Sequence, residues 1–394
     1  MTSPISGRRG PANTAFVAVQ DPVTTDLTLP RLDLRVVARR AAVPAALAAA
    51  LVAVVVLGGG PLELLADALR RALAADPRWI AVGAVVEILS FVGYVLLLWH
   101  VGERATPRLH LRASAEVTLA GAAATRLLPT AGAGGAALTL WAIARTGLGT
   151  RRGGHVLLTF LVLLYSVFLL AIAVSGAAIA LGIGAGPGHV AVGAVAATAA
   201  TLAIVGAAAF GLRPPTGESR IARGAGALGG AVRSAAGLVH GGDPRLLGAV
   251  AWWTFDAMVL WSAFHALGEP PALTVLAFAY FAGQVGNTIP VPGAVSGGMV
   301  GTLLAFGVEP DLALTSVLTY RAVAIWLPAP AGLFALGALR TRVARWGADD
   351  RAEPAAVAEP VAEPARVPLP VGVERQHAAR IRPAAVRTAD CTAC

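Results

Sequence analysis

The chain has 394 residues, of which 56% are of hydrophobic type and 13% charged, and its mean hydropathy is +0.71. Soluble chains carry about a quarter charged residues, so the composition excludes an ordinary soluble multidomain protein and points to one membrane bundle with polar ends. All 31 basic side chains are arginine and the formal net charge is +9; because these arginines flank apolar runs, membrane topology explains them better than nucleic-acid binding.

Residues 1–40 are polar and hold six arginines. The apolar run Ala41–Gly60 that follows is long enough to cross a bilayer core. Arg39-Arg40 imitates a twin-arginine signal, but the many spans downstream favour an uncleaved first span. Further spans are expected at Trp79–Val101, Gly153–Leu181, His189–Gly211, Leu246–Leu267 and Asp311–Leu339, which makes six.

Two other apolar regions do not fit single helices. Ala113–Ala144 is interrupted by the stretch Leu128 to Gly135, with Pro129 and Gly132, and Leu273–Gly307 by Asn287 to Gly293, with Pro290 and Pro292. Proline removes a backbone donor and glycine permits sharp reversal. Each region therefore reads as a re-entrant hairpin of two half-helices. Arginine placement supports this. With the N-terminus cytoplasmic, 26 of the 31 arginines fall on the cytoplasmic side, as the positive-inside rule requires, provided that each hairpin begins and ends on one face. The hairpins also resemble each other. Pro129 and Gly132 match Pro290 and Gly293, and Gly147 matches Gly307. One enters from inside and the other from outside, which is the pattern of an inverted repeat. The expected fold is an all-α polytopic membrane bundle.

Irregular backbone at membrane depth must line protein or a water-filled cavity. Arg126 and Arg321 lie at that depth beside the acidic residues Glu87 and Asp256. Ionisable groups there mark pathways or internal pairs. One reading is a polar cavity in which Arg126 and Arg321 meet a phosphate; the other is a pair of structural ion pairs.

The stretch Asn287 to Pro328, with Pro290, Pro292-Gly293, Phe306-Gly307-Val308, Tyr320-Arg321 and Trp326, resembles the lysylphosphatidylglycerol synthase transmembrane-region family of flippase-like membrane proteins. Arg126-Leu127-Leu128-Pro129 through Gly147 is similar to the family's first-half motif, and the resemblance extends over about residues 40–340. It implies movement of lipids between leaflets. By position it implies that Arg126, Pro129, Gly132, Asn287, Pro290, Pro292, Gly293, Tyr320, Arg321 and Trp326 shape a substrate cavity. Members often carry an acid after each Pro-Gly motif. Here those places read Ala133-Gly134-Gly135-Ala136 and Ala294-Val295-Ser296-Gly297-Gly298, without one, which argues against a lysyl-lipid substrate.

Three functions follow as expectations. The first is a translocator of an anionic phospholipid or lipid-linked precursor. The second is a non-catalytic partner of a lipid- or glycan-modifying enzyme. The third is a secondary transporter of a soluble anion. No nucleotide-binding loop, zinc motif or catalytic triad stands out, so neither enzyme activity, cofactor, metal nor nucleic-acid partner is expected. Residues 341–394 carry Ala-Glu-Pro repeats and read as a disordered cytoplasmic tail in which Cys391 and Cys394 are incidental. Gly217–Gly241, with Arg220, Arg223 and Arg233, reads either as an inner-surface segment facing anionic headgroups or as a solvated loop. The expected location is a bacterial plasma membrane, with both termini cytoplasmic.

Overall fold

The computed structural model describes residues 74–127, 133–213, 219–289, 291 and 293–357. Among them every regular element is helical. The elements are α1 (Pro77–Glu103), α2 (Leu111–Leu127), α3 (Ala133–Ile143), α4 (Gly149–Ala180), α5 (Val190–Leu212), α6 (Arg220–His240), α7 (Leu247–Leu267), α8 (Leu273–Gln284), α9 (Ala294–Ala305), α10 (Pro310–Trp326) and α11 (Pro328–Val357). Five stretches of the described residues are long and apolar enough to cross a membrane: Pro77–Glu103, Ala133–Ala180, Val190–Leu212, Pro244–Leu267 and Pro310–Arg351. The span expected at Ala41–Gly60 lies outside the described residues, as does the polar segment before it.

The chain is an all-α polytopic membrane protein. Its outward surface is built for lipid: Val85 and Ile88 on α1, Val174 on α4, and Val195 and Leu202 on α5 are all more than half exposed. Large apolar side chains can face outward in such numbers only where the surroundings are themselves apolar. The interior combines large side chains with close backbone crossings. A Cβ on Gly93 of α1 would lie 2.7 Å from the Gly248 carbonyl oxygen, so hydrogen at both positions is what lets the helices touch. Asp76 caps α1 through the Arg78 N–H, at 2.9 Å, and Pro77 starts it where a missing N–H costs nothing.

Both interrupted regions are hairpins. In the first, α2 and α3 run antiparallel: Gly121 lies against Thr139, and Gly135 against Thr125. Its two ends meet again where Arg108 donates to the Thr146 carbonyl at 3.4 Å. In the second, α8 and α9 run antiparallel, with a Cβ on Gly283 meeting Met299 N at 2.8 Å. Its two ends both reach the α4–α5 connection: Thr274 donates to the Ile183 carbonyl at 3.0 Å, and the His189 ring stacks on Phe306 at 4.4 Å. Helix α4 starts at the mouth of the first hairpin and ends at the mouth of the second. The hairpins therefore enter from opposite ends, as expected. Gly147 (φ 94°) and Gly307 (φ 81°) end the second limb of each in the left-handed region that glycine tolerates, so their correspondence in sequence is also one in geometry.

The two ends differ in charge. Arg104, Arg145, Arg151, Arg152, Arg213, Arg233, Arg245 and Arg342 gather where α1 and α5 finish and α4 and α7 begin. This basic end is laced together. Arg245 bonds Asp243 at 2.7 Å, meets Glu103 at 2.5 Å and lies over the Trp99 ring at 4.6 Å, while His100 Nδ1 sits 3.2 Å from the same Asp243 carboxylate.

Three expectations are corrected in detail. Asp311–Leu339 is two helices meeting at Leu327, because Pro328 has no N–H to continue the ladder. The chain after Arg340 does not become irregular at once. Helix α11 continues to Val357, and Leu339, Val343 and Trp346 are buried at helical spacing; residues 358–394 lie outside the described part. Finally, within Gly217–Gly241 the residues Arg220–His240 form helix α6, capped by the Ser219 side chain accepting from Ala222 N at 3.0 Å, which removes the loop alternative and not the inner-surface one.

Candidate functional site

Two half-helices that approach each other from opposite ends leave space between their tips. A cavity of about 410 Å³ occupies it, lined by both hairpins (Gly121, Thr125, Gly135, Ala136 and Thr139 from the first, Gln284 and Asn287 from the second) and by α1, α4, α7 and α10. That volume is within the range of small-ligand pockets, about 300–1,000 Å³. Its walls are aromatic and polar. Tyr94 and Trp252 stack at 4.2 Å, and Trp253 packs on Phe168 at 4.9 Å while its indole N–H donates to the Leu164 carbonyl at 2.8 Å.

On one side of the cavity Asp256 organises a buried network. It is 2% exposed, and its Oδ2 accepts from the hydroxyls of Tyr280 and Tyr320, the latter at 2.9 Å, and from the Gln284 amide at 3.3 Å. Gln284 in turn accepts from the Asn287 amide at 2.7 Å. Three elements thus converge on one carboxylate: α7 supplies the acid, α8 supplies Tyr280 and Gln284 one helical turn apart, and α10 supplies Tyr320. Arg321, the next residue on α10, also lines the cavity, and among the described residues no carboxylate pairs with it. The Asp256 network and Arg321 therefore share a single chamber.

The expected site residues are brought together in part. Asn287, Tyr320, Arg321 and Asp256 line the cavity. Gly293 stands at the second hairpin's tip and starts α9 with φ 84°, a conformation suited to glycine. Arg126 is in the last turn of α2, at the first hairpin's tip. Pro129, Gly132, Pro290 and Pro292 lie outside the described residues. Trp326 does not match: it is 72% exposed on the bundle's outer surface. Glu87 is fully buried within α1 and does not line the cavity. Tyr280, Gln284 and the aromatic wall were missed. The signal for the first two was present, as polar groups four residues apart in an apolar half-helix.

The chain matches the family model described as Lysylphosphatidylglycerol synthase TM region over residues 41–332. It belongs to the lysylphosphatidylglycerol synthase transmembrane-region family. The matched region includes both hairpins and every residue of the cavity. No curated protein matches the chain. Membership in this family and the apolar helices agree on a membrane-embedded protein.

Proposed function

We propose that this family member is a lipid translocator. It would move an anionic phospholipid or a lipid-linked precursor between the leaflets of a bacterial plasma membrane, with its basic end and both termini cytoplasmic. The observation that carries the reading is the cavity itself, at which two broken hairpins from opposite ends meet around a buried carboxylate and an arginine at membrane depth. The headgroup occupies the cavity with its phosphate toward Arg321, while the acyl tails stay in the bilayer. The free N–H groups of the half-helices at the hairpin tips add a favourable field for an anion. Relative rocking of the two hairpins exposes the headgroup to one leaflet and then to the other. The chain performs no covalent step in this reading and acts beside an enzyme that makes or consumes the lipid.

The saturation of Asp256 Oδ2 by three donors favours a second reading, in which the network only holds the bundle together and the chain is a partner of a lipid- or glycan-modifying enzyme. Reconstitution of the full chain into liposomes carrying fluorescent phosphatidylglycerol or phosphatidylcholine, followed by dithionite quenching, separates the two. Translocation predicts lipid exchange above that of protein-free liposomes. Exchange equal to the protein-free rate for every lipid, with the protein folded, favours the partner reading. Uptake of soluble phosphate without lipid exchange would indicate a transporter of soluble anions.

A further inference from the structure

A second recess, of about 900 Å³, lies at the basic end, away from the central cavity. It exists because α6 is docked along only half its length. In the C-terminal half Gly229, Ala231, Ala235 and Leu238 are buried, Ser234 bonds the His155 ring at 2.9 Å, and Arg233 donates to the Gly211 carbonyl at 2.9 Å. In the N-terminal half Arg220, Ile221 and Arg223 are exposed, and a Cβ on Gly226 would meet nothing within 4 Å. Beneath that half run Leu148, Arg151, Arg152 and Leu158.

The lining combines an apolar floor with three guanidinium groups at its rim. It contains no acidic residue, and among the described residues no carboxylate pairs with Arg151, Arg152 or Arg223. A free inorganic anion has no use for the apolar floor, and a neutral lipid has none for the arginines. We propose that this recess is a docking site for one anionic phospholipid of the adjoining leaflet. Its phosphate lies among Arg151, Arg152 and Arg223, and an acyl chain lies along Leu148, Leu158 and the open face at Gly226. The site stands whether or not the central cavity transports.

The test is the thermal stability of the full chain in nanodiscs of phosphatidylcholine with and without phosphatidylglycerol, titrated to give an apparent affinity for the anionic lipid. Each arginine near an anionic surface contributes about a five-fold gain in affinity (about 1 kcal/mol). Arg151→Ala/Arg152→Ala/Arg223→Ala should therefore weaken the phosphatidylglycerol response by on the order of 100-fold. Gly226→Phe keeps every arginine but fills the recess, and should weaken the response as much as the triple substitution does while leaving stability in pure phosphatidylcholine unchanged. Arg321→Ala removes the contact proposed in the central cavity, and the effect of the recess substitutions should be the same in its presence as in its absence. A wild-type response in Gly226→Phe, or recess substitutions that change nothing once Arg321→Ala is present, overturns the assignment. So does full displacement of the response by inorganic phosphate, which would show an ion site rather than a lipid site.

Discussion

Arg342 grips Glu116 with two bonds of 2.6 Å across a sequence separation of 226 residues. Both side chains are largely buried, at 12% and 9% exposure. The pair ties α11 to the entry of the first hairpin, and farther along the same crossing a Cβ on Gly332 would lie 2.8 Å from the Leu119 carbonyl oxygen. Removing Glu116 leaves the Arg342 charge uncompensated in a poorly solvated place, at a cost of about 3–5 kcal/mol, whereas removing Arg342 leaves Glu116 with the exposed Arg112 at 3.6 Å and should cost less. Arg342→Ala or Glu116→Ala should each lower the midpoint of thermal unfolding in detergent by several degrees. The double substitution Glu116→Leu/Arg342→Met should recover much of the loss. Strict additivity of the two single losses would show that the pair is not coupled.

The Asp256 network separates stability from function. Asp256→Ala removes the acceptor shared by the Tyr280 and Tyr320 hydroxyls and the Gln284 amide, and an unsatisfied buried polar group costs about 1–3 kcal/mol, so this variant should unfold at lower temperature. Asp256→Asn keeps the shape and an acceptor oxygen, and should change stability by less while replacing the carboxyl group that faces the cavity. Tyr320→Phe, which deletes the bond to Asp256 and the one the hydroxyl accepts from Gln284, should cost about 1 kcal/mol per bond. Unfolding curves for the three variants check the order.

Glycine substitutions should divide by location. Gly93→Ala places a methyl group 2.7 Å from the Gly248 carbonyl oxygen and forces α1 away from α7, an overpacking that costs about 1–3 kcal/mol. At Gly297, inside α9, an added Cβ meets nothing within 4 Å. Gly297→Ala should be neutral or stabilising by up to about 1 kcal/mol, the helix-propensity difference. Side-by-side thermal melts decide it.

The basic end should weaken on acidification. The Arg245 side chain, and then its backbone N–H, hold the Asp243 carboxyl well below the usual carboxylate range. A carboxyl depressed in the folded state stabilises above its unfolded value, about 3.9, and that contribution is lost as the pH falls through the lower folded value. Wild type should therefore lose stability below about pH 4, and Asp243→Asn should be less stable at neutral pH and flatter in this range. Melting temperature against pH is the measurement.

Much of this architecture is legible in the sequence because the bilayer imposes strong rules. The spans show as long apolar runs, the hairpins as Pro/Gly interruptions, and their direction as arginine bias. The antiparallel limbs of α2–α3 and α8–α9 follow from those three signals. Pairings across the fold are not legible. Glu116 and Arg342 are unremarkable charges near span ends until the helices cross, and nothing local to Asp256 says that Tyr280, Gln284 and Tyr320 will converge on it. Trp326 shows the converse failure: a motif position fixes a residue's place along a helix but not the face on which it sits. The docked start of the chain after Arg340 was hidden by its charge, although Leu339, Val343 and Trp346 repeat at helical spacing.

The most direct test of translocation through the cavity is to plug it. Ala136 lines the cavity, whereas Val195 is 70% exposed on the outer surface. Dithionite quenching of fluorescent phosphatidylglycerol would be followed in liposomes holding equal amounts of folded wild type, Ala136→Trp, Arg321→Ala or Val195→Trp. Passage through the cavity predicts fast exchange for wild type and Val195→Trp, and exchange slowed by at least about ten-fold, equivalent to about 1.4 kcal/mol of barrier, for the other two. Wild-type exchange in Ala136→Trp and Arg321→Ala would contradict a route between the hairpins.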